Sequence, residues 1–352
     1  MPRKLLVAGS HGVTGRAVMQ HFAVEKDVTV IGVSRRTGLG ISGVEEVSVD
    51  LTDTESVRKG LADIDGVTHI VFGAYIEKAS AAERSAVNVD ILRNLLDVVE
   101  ETSPELRHIT FYQGGKAYGA DLGPFKTPAR EDDPRLMPPN FYYDQEDLLR
   151  ARQRGKAWSF TGLRPEGVAG FAVGNPMNLL SVIAVYATIS KELGIPLRFP
   201  GTEAAYRALY QMTSASLLAR ATDWVGTTPA AENEIFNITN GDMFRWQHMW
   251  PRIATMFGMD WADPIPTPLA TYMVDKGELW QKIVAKHGLS FAPYERLVDW
   301  RFGDFIFNSG FDNVSSTIKA RKAGFQDCID SEEMFATEFA RLRTLGVIPR
   351  VS

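Results

Sequence analysis

A glycine-rich turn between an apolar strand and an amphipathic helix constrains this chain more than any other feature. Gly9, Gly12 and Gly15 stand three residues apart, after the apolar run 4–8 and at the start of the helical pattern 13–23. Glycines at this spacing allow a tight turn, admit a pyrophosphate against bare backbone and let helix and strand pack closely. The N–H groups that open such a helix are free and favour an anion. The pattern predicts a dinucleotide site at Gly9, Gly12, Val13, Thr14 and Gly15.

Short apolar runs alternate with amphipathic stretches through the first half of the chain. The runs predict strands over 4–8, 28–33, 46–49, 69–72, 108–112 and 157–163. The stretches between them predict helices over 13–23, 56–62, 82–100 and 142–154. Strands that are apolar throughout and alternate with helices are typical of a parallel sheet covered on both faces. We therefore predict an α/β fold built on a Rossmann-type doubly wound parallel sheet.

After about residue 170 helical patterns dominate, over 177–192, 214–224, 245–257, 269–287 and 331–342. Two short runs, 197–199 and 235–238, predict strands, and the second follows a helix, so it could rejoin the sheet. We predict a dinucleotide-binding domain formed by residues 1–170 plus about 207–240. A smaller, mostly helical substrate domain takes 171–206 plus 241–352. The cleft between them, at the carboxyl ends of the strands, is the expected ligand site.

Composition and charge exclude several classes of protein. The 352 residues correspond to about two domains, and a net charge of -5 argues against nucleic acid or an anionic membrane as a partner. The single cysteine, Cys328, cannot form an internal disulfide, which is typical of a reducing compartment. Polar residues interrupt the apolar stretch 176–194, which predicts a buried helix and no membrane span. The N-terminal apolar run ends at Gly9, so we expect no secretion signal and a cytoplasmic protein.

The residues after the second strand indicate which dinucleotide is bound. Proteins that prefer NAD carry an acid about 20 residues after the glycines, whereas this chain has Ser34, Arg35 and Arg36 there. A guanidinium pairs with a 2′-phosphate that a carboxylate would repel. We therefore predict NADP(H) rather than NAD(H), the alternative being that the arginines are solvated loop charges. Asp50 either bonds an adenine amino group or is an acid near a helix N-terminus. The next strand ends supply further predicted contacts at Asp50, Leu51, Gly73 and Ala74.

The tyrosine–lysine pair of ordinary short-chain dehydrogenases is missing. Those enzymes place a lysine four residues after the catalytic tyrosine on one helix, where it lowers the tyrosine's pKa. Here the fourth residue after Tyr142 is Glu146, and that after Tyr143 is Asp147. Lys116, which follows the fifth strand, could fill the volume of the missing lysine. Tyr143 is expected to pack in the core or cleft wall, and carboxylates in the first turn of a helix stabilise its dipole, so we assign no chemistry to Glu146 and Asp147.

The segment 140–147 carries a highly specific motif. It reads Asn-Phe-Tyr-Tyr-Asp-Gln-Glu-Asp, and it resembles the Asn-Phe-Tyr-Tyr-x-x-Glu-Asp motif of the progesterone 5β-reductase and iridoid synthase family, an atypical branch of the extended short-chain dehydrogenases. The segments 115–118 and 123–125 are also similar to that family, although Ala117 replaces a histidine. Shorter similarities continue downstream, so the resemblance covers nearly the whole chain.

The resemblance implies a reaction and a set of roles. NADPH would deliver hydride to the β-carbon of an α,β-unsaturated carbonyl compound. Tyr142 would hold the carbonyl oxygen while an enolate forms, Lys116 would orient Tyr142, and solvent would protonate the α-carbon. Both residues would also contact the cofactor. Gly167 and Val168 are expected beside the nicotinamide carboxamide, although the family usually has glycine where Glu166 stands.

The substrate side is less constrained by the sequence. A small hydrophobic enone or enal is expected in an apolar pocket lined by Tyr75, Phe171, Met177 and Tyr206. The histidines lack metal-ligand spacing, so we expect no metal site. Two alternatives stay open: carbonyl 1,2-reduction or nucleotide-sugar modification on the same scaffold, and a non-catalytic NADP(H)-binding sensor. The sequence leaves open the physiological substrate, the stereochemistry and the oligomeric state, a homodimer included.

Overall fold

The computed structural model of the chain describes residues 2–172, 174, 177–290 and 293–351. Its centre is a seven-stranded sheet in which every pair of neighbours is parallel. The strands are β1 (Arg3–Ala8), β2 (Val28–Ser34), β3 (Val44–Ser48), β4 (His69–Phe72), β5 (His108–Tyr112), β6 (Ser159–Pro165) and an edge strand, Glu234–Ile238. The order across the sheet is edge strand–β6–β5–β4–β1–β2–β3. The chain order therefore reverses beside β1, as in a doubly wound Rossmann-type sheet.

Helices cover both faces of this sheet, because successive strand residues point to opposite sides. Leu5 and Val7 of β1 pack with the helix α1 (Val13–Phe22), whereas Leu6 and Ala8 pack on the opposite face. The second face is covered by α2 (Thr54–Gly60), α3 (Ala81–Thr102) and α4 (Phe141–Gln153). A later helix, α7 (Ala215–Thr227), lies beside α1. The predicted doubly wound α/β fold is confirmed.

The second half of the chain forms a mostly helical region with its own aromatic core. Its helices are α5 (Leu179–Glu192), α6 (Glu203–Arg207), α8 (Trp246–Met256), α9 (Leu269–Tyr272), α10 (Gly277–His287), α11 (Trp300–Phe307), α12 (Ile318–Lys322) and α13 (Ser331–Thr344). Trp246 and Trp250, one helical turn apart on α8, are fully buried against Phe199 and Phe307. The apolar stretch that begins at residue 176 forms the buried helix α5, as predicted, although Pro176 itself lies outside the described residues.

Two helix predictions differ from the structure for local reasons. The pattern 269–287 predicts one helix, but the chain turns after Met273 and begins α10 at Gly277. The carboxylate of Asp304 accepts from the N–H groups of Leu269 and Ala270, at 2.7 and 2.9 Å. This contact from α11 fixes the short α9 and cannot be read from periodicity. The helix predicted over 177–192 begins two residues later, because Asn178 caps it by accepting from the N–H of Leu180.

The run 235–238 does rejoin the sheet, since Glu234–Ile238 pairs in parallel with β6. Ala320 of α12 and the following Phe325 pack with Phe236 of this edge strand. Part of the segment assigned to the substrate domain therefore contacts the sheet, and the division into two domains stays a prediction. Within the described part of the chain, no helix is both long and apolar enough to cross a membrane.

Candidate active site

The turn after β1 has the close approaches that demand glycine. Gly9 has φ +83, and a Cβ there would lie 2.7 Å from the carbonyl carbon of Gly73, which follows β4. A Cβ on Gly15 would collide with the carbonyl oxygen of Gly9. The two glycines thus let α1 and the end of β4 approach the turn closely, so that bare backbone faces the space above the sheet.

The N-terminus of α1 is open. Gly12 is the N-cap, no side chain caps the helix, and the first turn carries no acid. The opening N–H groups of an α-helix have no partner within the helix, so those of Val13, Thr14 and Gly15 can meet an anion. This is the backbone arrangement that holds the phosphates of a dinucleotide.

A cavity of about 580 Å³ lies above this turn, at the carboxyl ends of β1, β2 and β4. Eleven residues predicted for the cofactor or substrate line it: Gly9, Gly12, Ser34, Arg35, Arg36, Asp50, Leu51, Gly73, Ala74, Tyr75 and Met177. Residues that are far apart in the sequence thus meet at one opening.

At the cavity wall, His11 makes a side-chain contact with Glu46 that sequence reasoning missed. Nε2 of His11 lies 3.2 Å from a carboxylate oxygen of Glu46, whose other oxygen accepts from the N–H groups of Gly38 and Leu39 at 2.8 and 2.9 Å. Burial and the charge of Arg36 lower the pKa of His11, against the opposing effect of Glu46. The only sequence signal was a histidine inside the glycine-rich turn.

The two arginines after β2 are exposed and face different groups. Arg36 lies against the backbone of Gly174, where a Cβ would come within 2.7 Å of the guanidinium.

Asp50 accepts from the N–H and hydroxyl of Thr52, at 3.0 and 2.7 Å. These bonds, and more weakly the charge of Arg35, hold the pKa of Asp50 below its usual range. Asp50 therefore presents an ionised carboxylate at the cavity wall.

The motif 140–147 begins α4 and ties it to the turn that carries Lys116. Asn140 caps the helix by accepting from the N–H of Tyr142 at 3.0 Å, and its amide donates to the carbonyl of Lys116 at 2.9 Å. The amide of Gln113, directly after β5, donates to the carbonyl of Tyr142 at 2.9 Å. The lysine turn and the tyrosine helix are therefore fixed against each other through backbone atoms.

Tyr143 makes a second connection between these two elements. Its hydroxyl donates to the carbonyl of Ala117 at 2.8 Å and accepts from the N–H of Leu136 at 3.1 Å. The side chain is 4% exposed, so Tyr143 packs in the core, as predicted.

The phenol of Tyr142 points to the end of β5. Its oxygen would lie 3.3 Å from a Cβ on Gly114, so the absence of a side chain there leaves room for it. Phe141 packs against the rings of both Tyr142 and Tyr75, at centroid distances of 4.1 and 5.3 Å. Phe141 thus connects the ring of Tyr142 to Tyr75, which lines the cavity, but Tyr142 itself is not among the residues that line it. Burial, and then the negative charge of Glu166, raise the pKa of Tyr142, so the phenol is neutral and a hydrogen-bond donor.

Lys116 lies in the short 3-10 helix Gly115–Tyr118 and is half-buried. Burial alone would raise the pKa of Glu77, but hydrogen bonds from Tyr75 and Arg84 and the charge of Lys116 hold it below its usual range. The ammonium group of Lys116 is therefore close enough to the Tyr75–Glu77 pair to act on it.

Glu146 has a larger structural role than we expected for a carboxylate near the start of α4. It is 6% exposed, and its carboxylate lies 2.9 Å from Arg150 and 3.6 Å from the buried guanidinium of Arg164. Arg164 also donates to Gln113 at 2.6 Å and to Tyr118 at 3.1 Å. This buried network joins β6, α4 and the lysine turn. Asp147, by contrast, forms an exposed pair with Arg135.

Nine predicted residues are not among those that line this cavity: Val13, Thr14, Gly15, Lys116, Tyr142, Gly167, Val168, Phe171 and Tyr206. Phe171 lies behind α1 in a separate cavity of about 210 Å³, with the guanidinium groups of Arg16 and Arg341 at 5.2 and 5.6 Å from its ring. Tyr206 packs against Phe199 in the helical core. Gly167 and Val168 follow β6, where Val168 pairs with Thr213.

The family model for a PRISE-like Rossmann-fold domain matches residues 37–349 of this chain. The chain belongs to this family. A short chain dehydrogenase of Penicillium aethiopicum is 32% identical over 99% of this chain and 100% of its own length. An (S)-8-oxocitronellyl enol synthase of Nepeta racemosa is 32% identical over 98% of the chain and 91% of its own. A 3-oxo-Delta(4,5)-steroid 5-beta-reductase of Arabidopsis thaliana is 30% identical over 98% and 92%.

Solved structures support the fold of this PRISE-like chain. The Bordetella bronchiseptica enzyme WbmG, in complex with NAD and UDP, superposes with a TM-score of 0.68 over 99% of this chain and 97% of its own. Its sequence identity is 16%, so this likeness shows the fold alone. The PRISE-like chain is an oxidoreductase of the short-chain dehydrogenase class, with a Rossmann fold.

Proposed function

We propose that this chain uses NADPH to reduce the C=C bond of α,β-unsaturated carbonyl compounds, with Tyr142 and Lys116 as its catalytic residues. The observation that carries the proposal is the seating of Tyr142 on Gly114, with Phe141 joining its ring to Tyr75 of the cavity and the lysine turn bonded to the same helix. The names of the enol synthase and the steroid reductase among the relatives support this class of substrate.

The backbone around the glycine turn fits a dinucleotide. Gly9, Gly12 and the first turn of α1 offer N–H groups to the pyrophosphate, and Asp50 is placed to accept from an adenine amino group. Gly167 and Val168, at the end of β6, are proposed to contact the nicotinamide carboxamide. When bound, NADPH supplies hydride to the β-carbon of the substrate.

Tyr142 acts at the substrate oxygen. Hydride addition at the β-carbon moves an electron pair through the C=C bond and leaves negative charge on the carbonyl oxygen, as an enolate. The neutral phenol donates a hydrogen bond to that oxygen and stabilises the charge where it develops. Lys116 adds positive potential to the same region, and solvent protonates the α-carbon. Tyr75 and Met177, which line the cavity, would contact a small hydrophobic substrate.

The preference for NADPH over NADH is assigned to Ser34, Arg35 and Arg36. These residues follow β2, where the 2′ position of the adenosine ribose lies in this fold. Arg35 and Arg36 are exposed, so their guanidinium groups can turn to a 2′-phosphate without losing a buried partner. The Glu46 carboxylate nearby is bonded to His11 and two backbone N–H groups, which limits its repulsion of a phosphate.

Replacing Arg36 by glutamine is expected to lower kcat/KM for NADPH about tenfold or more, because one charge-assisted contact to phosphate is lost. The value for NADH, which has no such phosphate, is expected to stay within about twofold. Steady-state kinetics with both cofactors measure the effect. Arg58→Gln removes an exposed arginine paired with Glu101 and serves as the control. An equal loss with both cofactors would contradict the assignment.

A panel of enals and enones tests the proposed reaction. Purified protein with NADPH should oxidise the cofactor in the presence of these compounds and form saturated carbonyl products. Allylic alcohols as the products would instead indicate carbonyl 1,2-reduction. Tight NADPH binding without turnover of any member of the panel would favour a cofactor sensor.

A further inference from the structure

Glu166 is a buried carboxyl group beside the catalytic elements. It follows β6 and is 3% exposed. One of its carboxylate oxygens accepts from the hydroxyl of Ser315 at 2.9 Å, and Asn313 also bonds the carboxyl group. The second oxygen would lie 2.8 Å from a Cβ on Gly115, so only glycine leaves room for Glu166 at that point.

The carboxyl group lies close to the backbone that seats the catalytic phenol. Gly115, against which Glu166 packs, is the residue after Gly114, against which the Tyr142 oxygen packs. Gly115 is also the first residue of the 3-10 helix that carries Lys116. A charge on Glu166 therefore acts on the region where the substrate oxygen becomes negative.

We propose that Glu166 is a positioning residue that acts through Tyr142. A neutral Glu166 permits negative charge on the substrate oxygen, and an ionised Glu166 opposes that charge. This inference rests on the proposed function of Tyr142. The physical reason is Coulombic: an ionised carboxylate close to Tyr142 makes its phenol a weaker donor to a developing enolate, and a neutral carboxyl group does not.

The electrostatics of the site support this role. Burial raises the pKa of Glu166 to about 7, although the hydrogen bonds from Ser315 and Asn313 oppose the increase. After burial, the charge of Glu166 is the largest influence that raises the pKa of Tyr142, and it also raises that of Tyr210. Both proton states of Glu166 are thus accessible near neutral pH.

The elements packed around Glu166 carry other charged or titratable groups. The turn that begins at Gly115 carries Lys116, and β6 carries Arg164. Tyr142 and Tyr210 are neutral, because their pKa values are raised. The segment that carries Asn313 and Ser315 also contains Asp312, whose carboxylate accepts from the N–H of Leu209. Asp121, which is exposed, also raises the pKa of Tyr142.

The test is the pH dependence of hydride transfer in single turnovers at saturating enone, followed by NADPH oxidation. The wild-type rate is expected to fall about tenfold as pH rises from about 6 to about 8.5. Glu166→Gln holds the side chain neutral, and its rate should stay nearly constant over this interval. Glu338→Gln, which removes a buried carboxyl with a raised pKa on α13, should keep the wild-type profile.

Ser315→Ala keeps the test decisive if Glu166→Gln does not fold. The Ser315 hydroxyl stabilises the ionised form of Glu166, so its loss should move the midpoint of the pH profile upward. A wild-type profile that is flat, or unchanged in both variants, would overturn the role of Glu166. If Tyr142→Phe were as fast as the wild type, the function assigned to Tyr142 would fail instead, so the two failures are distinguishable.

Discussion

Replacing Tyr142 by phenylalanine is expected to lower turnover of an enone about 10²- to 10³-fold. The change removes only the phenolic oxygen, which lies in the space left by Gly114 and is a neutral donor because burial and Glu166 raise its pKa. Without it, the developing enolate loses its hydrogen bond. The backbone bonds of the residue, to Asn140 and Gln113, do not depend on the hydroxyl. Single-turnover NADPH oxidation measures the rate, and fluorescence titration should show NADPH binding within about threefold of the wild type.

Tyr186→Phe is the matched control for this change. It deletes a partly buried tyrosine hydroxyl on α5, which packs against the helical core and is bonded to the carbonyl of Arg198. Its turnover should stay within about threefold of the wild type. Equal losses in the two variants would point to a general packing defect and contradict a catalytic role for Tyr142.

Replacing Arg164 by methionine is expected to lower the free energy of unfolding by about 3 kcal/mol. Arg164 is 5% exposed, and its guanidinium bonds Gln113, Tyr118 and the carboxylate of Glu146. Its loss leaves Glu146 with the partly exposed Arg150 and Arg135 and leaves the amide oxygen of Gln113 without this donor. Urea unfolding, followed by tryptophan fluorescence, measures the change.

A double-mutant cycle separates the buried network from general packing. With Glu146→Gln in place, the cost of Arg164→Met should fall by about 1 kcal/mol or more, because no buried carboxylate then loses its buried partner. Arg58→Met, at an exposed pair with Glu101, should cost at most about 1 kcal/mol. A cost for Arg164→Met as small as that of the control would show that the network does not stabilise this region.

The fold could be predicted because its signals are local. Most sheet strands are short apolar runs, β3 with its two glutamates being the exception, and β5 begins and ends at the residues expected from the sequence. The glycine turn predicts the cavity for the same reason, since Gly9 and Gly15 meet backbone that must be close in any strand–turn–helix unit of this kind. The motif 140–147 likewise predicts the helix that carries Tyr142, which begins at Phe141.

Contacts between distant segments could not be predicted in this way. His11 follows β1 whereas Glu46 lies in the middle of β3, and Glu166 meets Ser315 across almost half the chain. Phe171 follows β6 closely enough to suggest a pocket residue. It lies behind α1 instead, where the guanidinium groups of Arg16 and Arg341 stack over its ring. Periodicity shows which side chains are apolar but not which of two cavities an aromatic ring enters.

The central claim is that hydride adds to the carbon β to the carbonyl group. The most direct measurement uses NADPH deuterated at C4 of the nicotinamide, an enal substrate and NMR of the isolated product. The proposed reaction predicts a saturated aldehyde with deuterium on the β-carbon. Deuterium on the former carbonyl carbon of an allylic alcohol would contradict it.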